Sequence, residues 1–522
     1  MPQFASPLHP RGTHDDTATE LDVTLAPSTL PDNDPEGPAL QNPEHSHRTE
    51  SDSLGSLEIP AEAYWGIHTA RALENFPISK RPISIYPDLV RALATVKLAA
   101  ARANTEIGSL APAKAELIEA ACRRIIDGEF HDQFVVGVIQ GGAGTSTNMN
   151  ANEVVANVAL EIGGHGKGEY SVLHPLDDVN RSQSTNDVYP TAIKIAMTWS
   201  LRRLLDELAL LRESFSGKAV EFGSVLKVGR TQLQDAVPMT LGQEFHGFAT
   251  TLGEDHARLS ETIWLLAEVN IGATAIGTGI TADPRYGASA VKHLNEITDL
   301  DLEMAQDLVE ATSDAGVFMS FSSALKRSAI KLSKICNDLR LLSSGPQAGF
   351  GEINLPPRQA GSSIMPGKVN PVIPEVVNQV AYSVAGADVT VTMAAEAGQL
   401  QLNAFEPVIA HSLLQSITWM TQACRTLRVN CIDGITANVD RLEAMVASSV
   451  GVVTALTPSI GYTASAALAK AALATGRNVA DLVVEAGLMS REEVLRLISP
   501  ARLSGIEAMT ASIPVIATDE TP

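Results

Sequence analysis

The residues best suited to chemistry in this chain lie in one short run, residues 361–371, which reads GSSIMPGKVNP. Ser362 and Ser363 supply two hydroxyl groups, and Lys368 supplies a point charge that suits a carboxylate or a phosphate. Asn370 adds a hydrogen-bond donor of fixed geometry. Glycines widen the conformational range of the run and prolines restrict it. This composition is typical of an anion-binding catalytic loop, although ordinary surface turns contain the same residue types.

Two other polar clusters each precede a helical pattern. Residues 141–150 read GGAGTSTNMN, and residues 182–187 read SQSTND. The free backbone N–H groups of a helix start, together with Ser, Thr and Asn side chains, can hold an anion, but the same residues also cap helices without any ligand. A third segment, residues 229–238, is similarly rich in neutral donors. Both interpretations remain open for each cluster on these residues alone.

The sequence predicts neither a cofactor nor a metal. The glycines of residues 141–144 follow an apolar segment, as in a dinucleotide-binding loop, but their order does not fit GxGxxG and no βαβ pattern follows. The phosphate-binding pattern GxxxxGK[ST] is also absent. The cysteines form no CxxC pair and show no metal-ligand spacing, so we expect reduced thiols in a cytoplasmic protein; they are Cys122, Cys336, Cys424 and Cys431.

The charge balance excludes several kinds of partner. The chain of 522 residues carries 60 acidic against 38 Lys and Arg side chains, a formal net charge of -22. Nucleic acids and anionic membranes need a positive surface, so neither is an expected partner. No apolar run is long enough to span a membrane. Residues 1–47 lack the apolar segment of an export signal, and we predict that they form a disordered tail whose scattered histidines bind nothing.

Apolar periodicity predicts long helices around the run at residues 361–371. One apolar face steps by three and four residues through Ile193, Met197, Leu201, Leu204, Leu208, Leu211 and Phe215. A second passes through Phe318, Phe321, Leu325, Leu332, Ile335, Leu339 and Leu342, and it ends where Ser343 to Pro346 break the pattern. A third helix is predicted after Pro371. Such helices cannot bury their apolar faces alone, so we expect a helical bundle that subunits can share.

Four motifs together resemble the aspartase/fumarase superfamily of lyases. They are residues 141–153 (GGAGTSTNMNANE), 174–187 (HPLDDVNRSQSTND), 229–245 (GRTQLQDAVPMTLGQEF) and 361–371, and the resemblance extends from about residue 48 to about residue 505. It implies a mainly α fold of three domains with a central bundle of long helices, pooled by four subunits into a tetrameric helical core. Active sites would form where three subunits meet. The implied divisions are the tail (1–47), an N-terminal lyase domain (48–183), the central bundle (184–440) and a small C-terminal domain (441–522).

Within the superfamily the resemblance is greater to the ammonia-lyases than to the hydratases. Residues 371–380 (PVIPEVVNQV), residues 231–234 (TQLQ) and residues 398–407 (GQLQLNAFEP) are each similar to the ammonia-lyase pattern. The implied activity is the reversible elimination of ammonia from L-aspartate, a small dicarboxylate, to give fumarate. Alternatives are a fumarate hydratase acting on malate, or a non-catalytic structural relative of the kind used as a lens protein. A nicotinamide-dependent enzyme is a more distant alternative.

The resemblance also implies a role for individual residues. Ser362 would be the general base, acting as an alkoxide on the carbon beside the β-carboxylate. The β-carboxylate itself would be held by Thr145, Ser184, Thr185 and Ser363. Lys368 and Asn370 would hold the α-carboxylate. The residues near the amino group would be Asn186, Thr231 and Gln232.

A few positions depart from the superfamily pattern. Gln347 stands where Arg is usual, Thr281 stands where Asn is usual, and Gln232 stands where many members have a titratable His. We expect these changes to affect packing or substrate choice. His174 has a counterpart at a secondary anion site of fumarases, but Leu176 replaces the usual Asn beside it, so His174 is left out of the predicted site.

Overall fold

Helices make up most of residues 46–503, the part of the chain that this computed structural model describes. Their bounds are α1 (Ile67–Asn75), α2 (Pro87–Glu106), α3 (Pro112–Ile126), α4 (Thr145–Ile162), α5 (Thr185–Glu221), α6 (Leu241–Ser260), α7 (Ile263–Ala267), α8 (Tyr286–Thr298), α9 (Leu308–Ser313), α10 (Gly316–Leu342), α11 (Val372–Glu396), α12 (Glu406–Asn430), α13 (Val439–Ser448), α14 (Val453–Ile460), α15 (Tyr462–Thr475), α16 (Val479–Glu485), α17 (Arg491–Leu497) and α18 (Pro500–Leu503). The predicted mainly α fold is confirmed.

Short strands pair two by two in this part of the chain. They are β1 (His47–Asp52), β2 (Gly55–Pro60), β3 (Leu226–Thr231), β4 (Gln234–Thr240), β5 (Glu268–Val269), β6 (Glu303–Met304), β7 (Ile353–Asn354) and β8 (Thr436–Ala437). The pairs β1-β2, β3-β4 and β7-β8 are antiparallel, and β5-β6 is parallel. In the β3-β4 hairpin Leu226 lies opposite Thr240 and Thr231 lies opposite Gln234, with an irregularity between Val228 and Arg230.

The long helices form the main core, as their periodicity predicted. The seven residues expected on one face of α5 are all buried, and so are the seven expected on one face of α10. Helix α5 packs against α2, α6 and α12, while α11 packs against α10 and α12. Helix α10 ends at Leu342 and α11 begins at Val372, so the run at residues 361–371 lies between two long helices, as predicted.

The C-terminal helices have a small core of their own. Val453, Leu456, Leu468, Val483 and Val494 pack together there. A further small cluster joins Val228 of β3 to residues of α13 and the turn that follows it. The domain boundaries given above remain predictions, and the predicted tail lies outside the described residues except at its end, where His47 begins β1.

Two further features concern cysteines and membranes. All four cysteines are buried and free of disulfides. No single helix within residues 46–503 is long and apolar enough to cross a membrane, and one sharply bent pair, Val439–Ser448 with Val450–Ile460, passes that test by length and composition only.

Candidate active site

The start of α4 is tightly packed because of one glycine. Gly144 precedes Thr145 with φ 87°, a left-handed conformation that favours glycine. A Cβ at this position would lie 2.2 Å from the Tyr189 ring of α5, so no larger residue fits. The Thr145 hydroxyl is exposed and donates to the Gly142 carbonyl at 2.7 Å. Thr145 is therefore carried on a helix start whose backbone is fixed against α5.

The start of α5 is a capping box. The Ser184 Oγ accepts a hydrogen bond from the Asn186 N–H at 3.2 Å, and the Asp187 Oδ1 accepts one from the Ser184 N–H at 3.0 Å. The Asn186 side chain donates to the Ala275 carbonyl at 2.7 Å. The capping interpretation is thus correct for Ser184, whose Oγ and carbonyl accept from the N–H groups of Asn186, Asp187 and Val188.

Asn148 connects the two helix starts. Its Nδ2 donates to the Thr185 Oγ1 at 3.1 Å and to the Asn180 Oδ1 at 3.2 Å. Asn148 therefore links α4, which begins at Thr145, to Thr185 at the start of α5. We call residues 144–148 and 184–187 the helix-start cluster.

A buried lysine that the sequence analysis missed lies beneath this cluster. Lys97 of α2 has no exposed surface, and its Nζ donates to Asn148 Oδ1 at 2.7 Å, Asn180 Oδ1 at 3.0 Å and Gln183 Oε1 at 2.9 Å. Burial lowers the pKa of Lys97 to about 7, while the Asp187 carboxylate opposes that shift. The only signal in the sequence is a lysine within an otherwise apolar stretch, residues 96–101.

Asp187 is the buried anion of the same region. Its Oδ2 accepts hydrogen bonds from the backbone N–H groups of Thr274 at 2.9 Å and Gly272 at 3.2 Å, and its Oδ1 accepts that of Ser184. Burial raises the pKa of Asp187 to about 7, and the three backbone donors and Lys97 act in the opposite direction. Asp187 thereby ties the start of α5 to residues 272–274.

The β3-β4 hairpin presents Thr231 and Gln232 to solvent. Its two-residue turn, Gln232 and Leu233, has φ values of 55° and 62°, the left-handed geometry of a tight hairpin turn, here without glycine. The base of the hairpin is anchored by the fully buried Glu352, which forms ion pairs with Arg230 and with Lys227, the latter at 2.8 Å. The hairpin therefore holds two exposed donors on a strained but anchored turn.

Residues 361–371, which we call the Ser362 loop, are largely exposed. The Ser362 Oγ accepts hydrogen bonds from the backbone N–H groups of Ile364 at 3.2 Å and Met365 at 3.0 Å. The loop closes on itself, because Gly361 N–H donates to the Lys368 carbonyl at 2.8 Å and Asn370 Nδ2 donates to the Gly361 carbonyl at 2.8 Å. Within residues 46–503 no ion pair involves the exposed Lys368 side chain.

Two open spaces adjoin the Ser362 loop. One, of about 450 Å³, is lined by Ser362, Lys368 and Arg358 among others. The other is a cleft of about 1220 Å³, whose lining includes Lys368, Asn370, Arg340 and Arg441. Both are large enough for a small dicarboxylate, and both contain cationic side chains.

The predicted site residues fall into three groups within residues 46–503. Thr145, Ser184, Thr185 and Asn186 form one group, Thr231 and Gln232 a second, and Ser362, Ser363, Lys368 and Asn370 a third. Among the described residues no hydrogen bond connects one group with another. Their roles remain predictions.

The departures from the superfamily pattern have distinct surroundings. Gln347 is exposed, and the Arg441 guanidinium donates to the carbonyls of Pro346, at 3.1 Å, and Gly349 on either side of it. Thr281 is exposed with φ 70°, a conformation in which Asn is far more common than a β-branched residue. His174 caps the short helix that follows it, with its Nδ1 accepting from the Leu176 and Asp177 N–H groups.

No group of three or more His, Cys, Asp or Glu side chains in the described chain is arranged to hold a metal ion.

The sequence matches a family described as lyase over residues 55–386 and the C-terminus of fumarase C over residues 452–505. Among similar proteins, the aspartate ammonia-lyase of Pseudomonas aeruginosa is 59% identical, covering 88% of this chain and 98% of that protein. The aspartate ammonia-lyase of Escherichia coli K12 is 55% identical, covering 86% of this chain and 94% of that protein.

Solved structures show the same similarity. A protein described as fumarate lyase:delta crystallin from Brucella melitensis bound to cobalt has a TM-score of 0.86 and 54% identity, covering 88% of this chain and 100% of that one. A class II fumarase from Schistosoma mansoni has a TM-score of 0.84 and 32% identity, covering 88% of this chain and 99% of that one.

Proposed function

Because this chain belongs to the lyase family, we propose that it is an ammonia-lyase that converts L-aspartate to fumarate and ammonia, and that it catalyses the reverse addition. The observation that carries the proposal is the environment of the Ser362 hydroxyl. Its oxygen accepts hydrogen bonds from two backbone N–H groups, in the same loop that bears Lys368. Relatives named aspartate ammonia-lyase are 55–61% identical over most of the chain, whereas the fumarase structure is 32% identical. The hydratase is therefore the less favoured activity.

The difficult step is removal of a proton from the carbon beside the β-carboxylate. That step spreads a second negative charge over the carboxylate, so the transition state resembles a dianionic enediolate. Preorganised donors stabilise such charge, and the loss of one donor raises a barrier by roughly 3 to 4 kcal/mol. The helix-start cluster offers such donors at Thr145, Ser184 and Thr185, and Ser363 would add another when the loop closes.

Ser362 is assigned the role of general base. A serine hydroxyl is normally far too weak an acid to ionise, so its surroundings must favour the alkoxide. Two N–H groups already point at the Ser362 Oγ, and the Lys368 cation lies six residues further along the same loop. Closure of the loop over substrate would remove water and strengthen both effects.

The remaining donors are assigned to the other two groups of the substrate. Lys368 and Asn370 bind the α-carboxylate, and Asn186, Thr231 and Gln232 surround the amino group. Because Gln232 is neutral, ammonia departs with the help of hydrogen bonds rather than of an imidazolium. We propose no cofactor and no metal for the reaction.

We also propose that four copies assemble and that three of them contribute to each active site. Two observations support this: no hydrogen bond joins the three groups of site residues within residues 46–503, and α11 exposes Tyr382, Val389 and Met393. Buried among helices of other copies, this apolar surface would stabilise the assembly. The assembly is proposed to act in the cytoplasm. Sedimentation of a fully active monomer would contradict the shared site.

A panel of substrates tests the proposed activity. Purified protein is incubated with L-aspartate, malate, argininosuccinate or adenylosuccinate, and fumarate release is followed by ultraviolet absorbance. We expect release from L-aspartate and little or none from the others. Release from malate alone would support a hydratase, and release from none of them would support a non-catalytic relative.

A further inference from the structure

The surroundings of Lys97 fit its charged form. Its Nζ faces three amide oxygens at 2.7 to 3.0 Å, from Asn148, Asn180 and Gln183. An ammonium group has three N–H donors to match them, whereas a neutral amine has two donors and a lone pair that would face the third oxygen. A wholly buried ammonium is costly unless its donors are all used, and here they are.

The charge of Lys97 fixes the orientation of the Asn148 amide. Since the ammonium attracts the amide oxygen, the Asn148 NH₂ group must point the other way, toward Thr185 and Asn180. A reversed amide would place its N–H donors against the ammonium. The Asn180 oxygen is held in the same manner, because it also accepts from Lys97 and from Asn152.

The orientation of Asn148 in turn decides what the Thr185 hydroxyl can do. The Thr185 Oγ1 accepts the hydrogen bond from Asn148 at 3.1 Å. A hydroxyl whose oxygen accepts on one side has its own hydrogen free to donate elsewhere. That hydrogen must point away from Asn148, and Thr185 is the first residue of α5, so the hydroxyl lies at the N-terminal end of that helix.

From this chain of contacts we infer that Lys97 is a positioning residue for the β-carboxylate: through Asn148 it holds the Thr185 hydroxyl as a donor to the substrate. The inference rests on the proposed function of the site. Asp187, which is equally buried, offsets the Lys97 charge at longer range, so the effect assigned to Lys97 is one of orientation rather than of net field. Lys97 itself does not contact the substrate.

The alternative is that Lys97 only satisfies buried oxygens and supports the fold. Asn148→Asp distinguishes the two, because the new carboxylate keeps an oxygen for Lys97 but has no donor for Thr185. The Thr185 hydroxyl would then turn inward and donate to Asp. We expect the affinity for succinate, an unreactive dicarboxylate, to fall about ten- to a hundredfold, the usual effect of losing a hydrogen bond to a charged group. The melting temperature should stay close to that of the wild type.

A double-mutant cycle with Thr185→Val removes the remaining ambiguity. If Asn148 acts through Thr185, adding Asn148→Asp to Thr185→Val should change succinate affinity less than twofold. If the new carboxylate merely repels the ligand, its effect should be equally large in both backgrounds, and the inference would be wrong. An unchanged affinity in Asn148→Asp alone would also overturn it.

Lys97→Met gives a second line of evidence when the variant is soluble. The same loss of succinate affinity is expected from Lys97→Met. In the Thr185→Val background, Lys97→Met should cause little further loss. Should Lys97→Met fail to fold, the Asn148 and Thr185 cycle still overturns the inference if the two residues prove uncoupled. Since the cycle measures succinate binding, it also remains decisive if the wild type releases no fumarate from L-aspartate, a result that would overturn the proposed activity alone.

Discussion

The helix-start cluster and the Ser362 loop differ in how they hold their polar groups. In the helix-start cluster Thr147, Asn148 and Asp187 are buried, and each is hydrogen-bonded to a separate segment of the chain. In the Ser362 loop the side chain of Ile364 is 84% exposed, and the hydrogen bonds run from one part of the loop to another. One region is fixed by the core, and the other is fixed only by itself.

Under the proposed function, we expect this difference to divide the catalytic roles between the two regions. Donors that receive developing charge are most effective when they need no rearrangement, and the helix-start cluster has that property. A base must approach the substrate and exclude water, so it benefits from a segment that can close. We therefore expect the fixed region to set the affinity for the β-carboxylate and the Ser362 loop to set the rate of proton removal.

The largest effect is expected from Ser362→Ala. Removing the base should lower kcat by about a thousandfold, within the usual range for acid–base catalysis, while succinate still binds to the fixed region. Fumarate release and succinate titration measure the two quantities. Ser363→Ala is the matched control on the neighbouring hydroxyl and should raise KM more than it lowers kcat. Retention of a tenth of the wild-type kcat by Ser362→Ala would contradict its role.

A pair of glycine substitutions compares the packing of the two regions. Gly144 and Gly367 have φ values of 87° and 81°, so alanine costs each a similar backbone strain of about 1 to 2 kcal/mol. At Gly144 the new methyl group would also collide with Tyr189, whereas nothing lies within 4 Å at Gly367. We expect Gly144→Ala to cost about 2 kcal/mol more than Gly367→Ala in denaturant unfolding. Equal losses would show that the helix starts are as loosely packed as the loop.

A smaller effect, dependent on pH, is expected from Glu406→Gln at the start of α12. Burial raises the pKa of Glu406 to about 8, and the unfolded chain has the ordinary value near 4.5. The native protein therefore keeps a proton that the unfolded chain releases, and wild-type stability falls as pH rises between these values. Relative to the wild type, the free energy of unfolding of Glu406→Gln should rise across that interval by at least about 1 kcal/mol and level off above it, as measured by denaturant unfolding at several pH values. A difference that is independent of pH would contradict the shift.

The smallest effect is expected from Thr281→Asn. Thr281 has φ 70°. The segment that precedes it is hydrogen-bonded to the side chains of Asn186 and Asp187 in the helix-start cluster. Asn tolerates the left-handed region better than a β-branched residue, so the substitution should stabilise the protein by up to about 1 kcal/mol. Thermal unfolding measures the gain. Thr278→Asn is a control at a position where no positive φ occurs, and an equal gain there would remove the explanation.

Features of the fold and of the site could be predicted from the sequence where neighbouring residues along the chain determine them, and not where distant segments meet. The faces of α5 and α10 follow from apolar spacing, and the position of the Ser362 loop follows from the breaks at Ser343 and before Val372. The support beneath Thr185 was not predicted, because Lys97, Asn148 and Asn180 come from three distant segments and meet only after the helices pack. The left-handed turn at Gln232 was missed for another reason, since it contains none of the residues that usually indicate such a turn.

Amide hydrogen–deuterium exchange tests the central comparison most directly. The protein is labelled with and without an equilibrated mixture of L-aspartate, fumarate and ammonia, and peptides are followed by mass spectrometry. Peptides covering residues 361–371 should exchange quickly without substrate and slowly with it, while those covering residues 145–150 and 185–190 should exchange slowly in both states. Helix starts that exchange as fast as the unliganded loop, or a loop that substrate does not protect, would contradict the account.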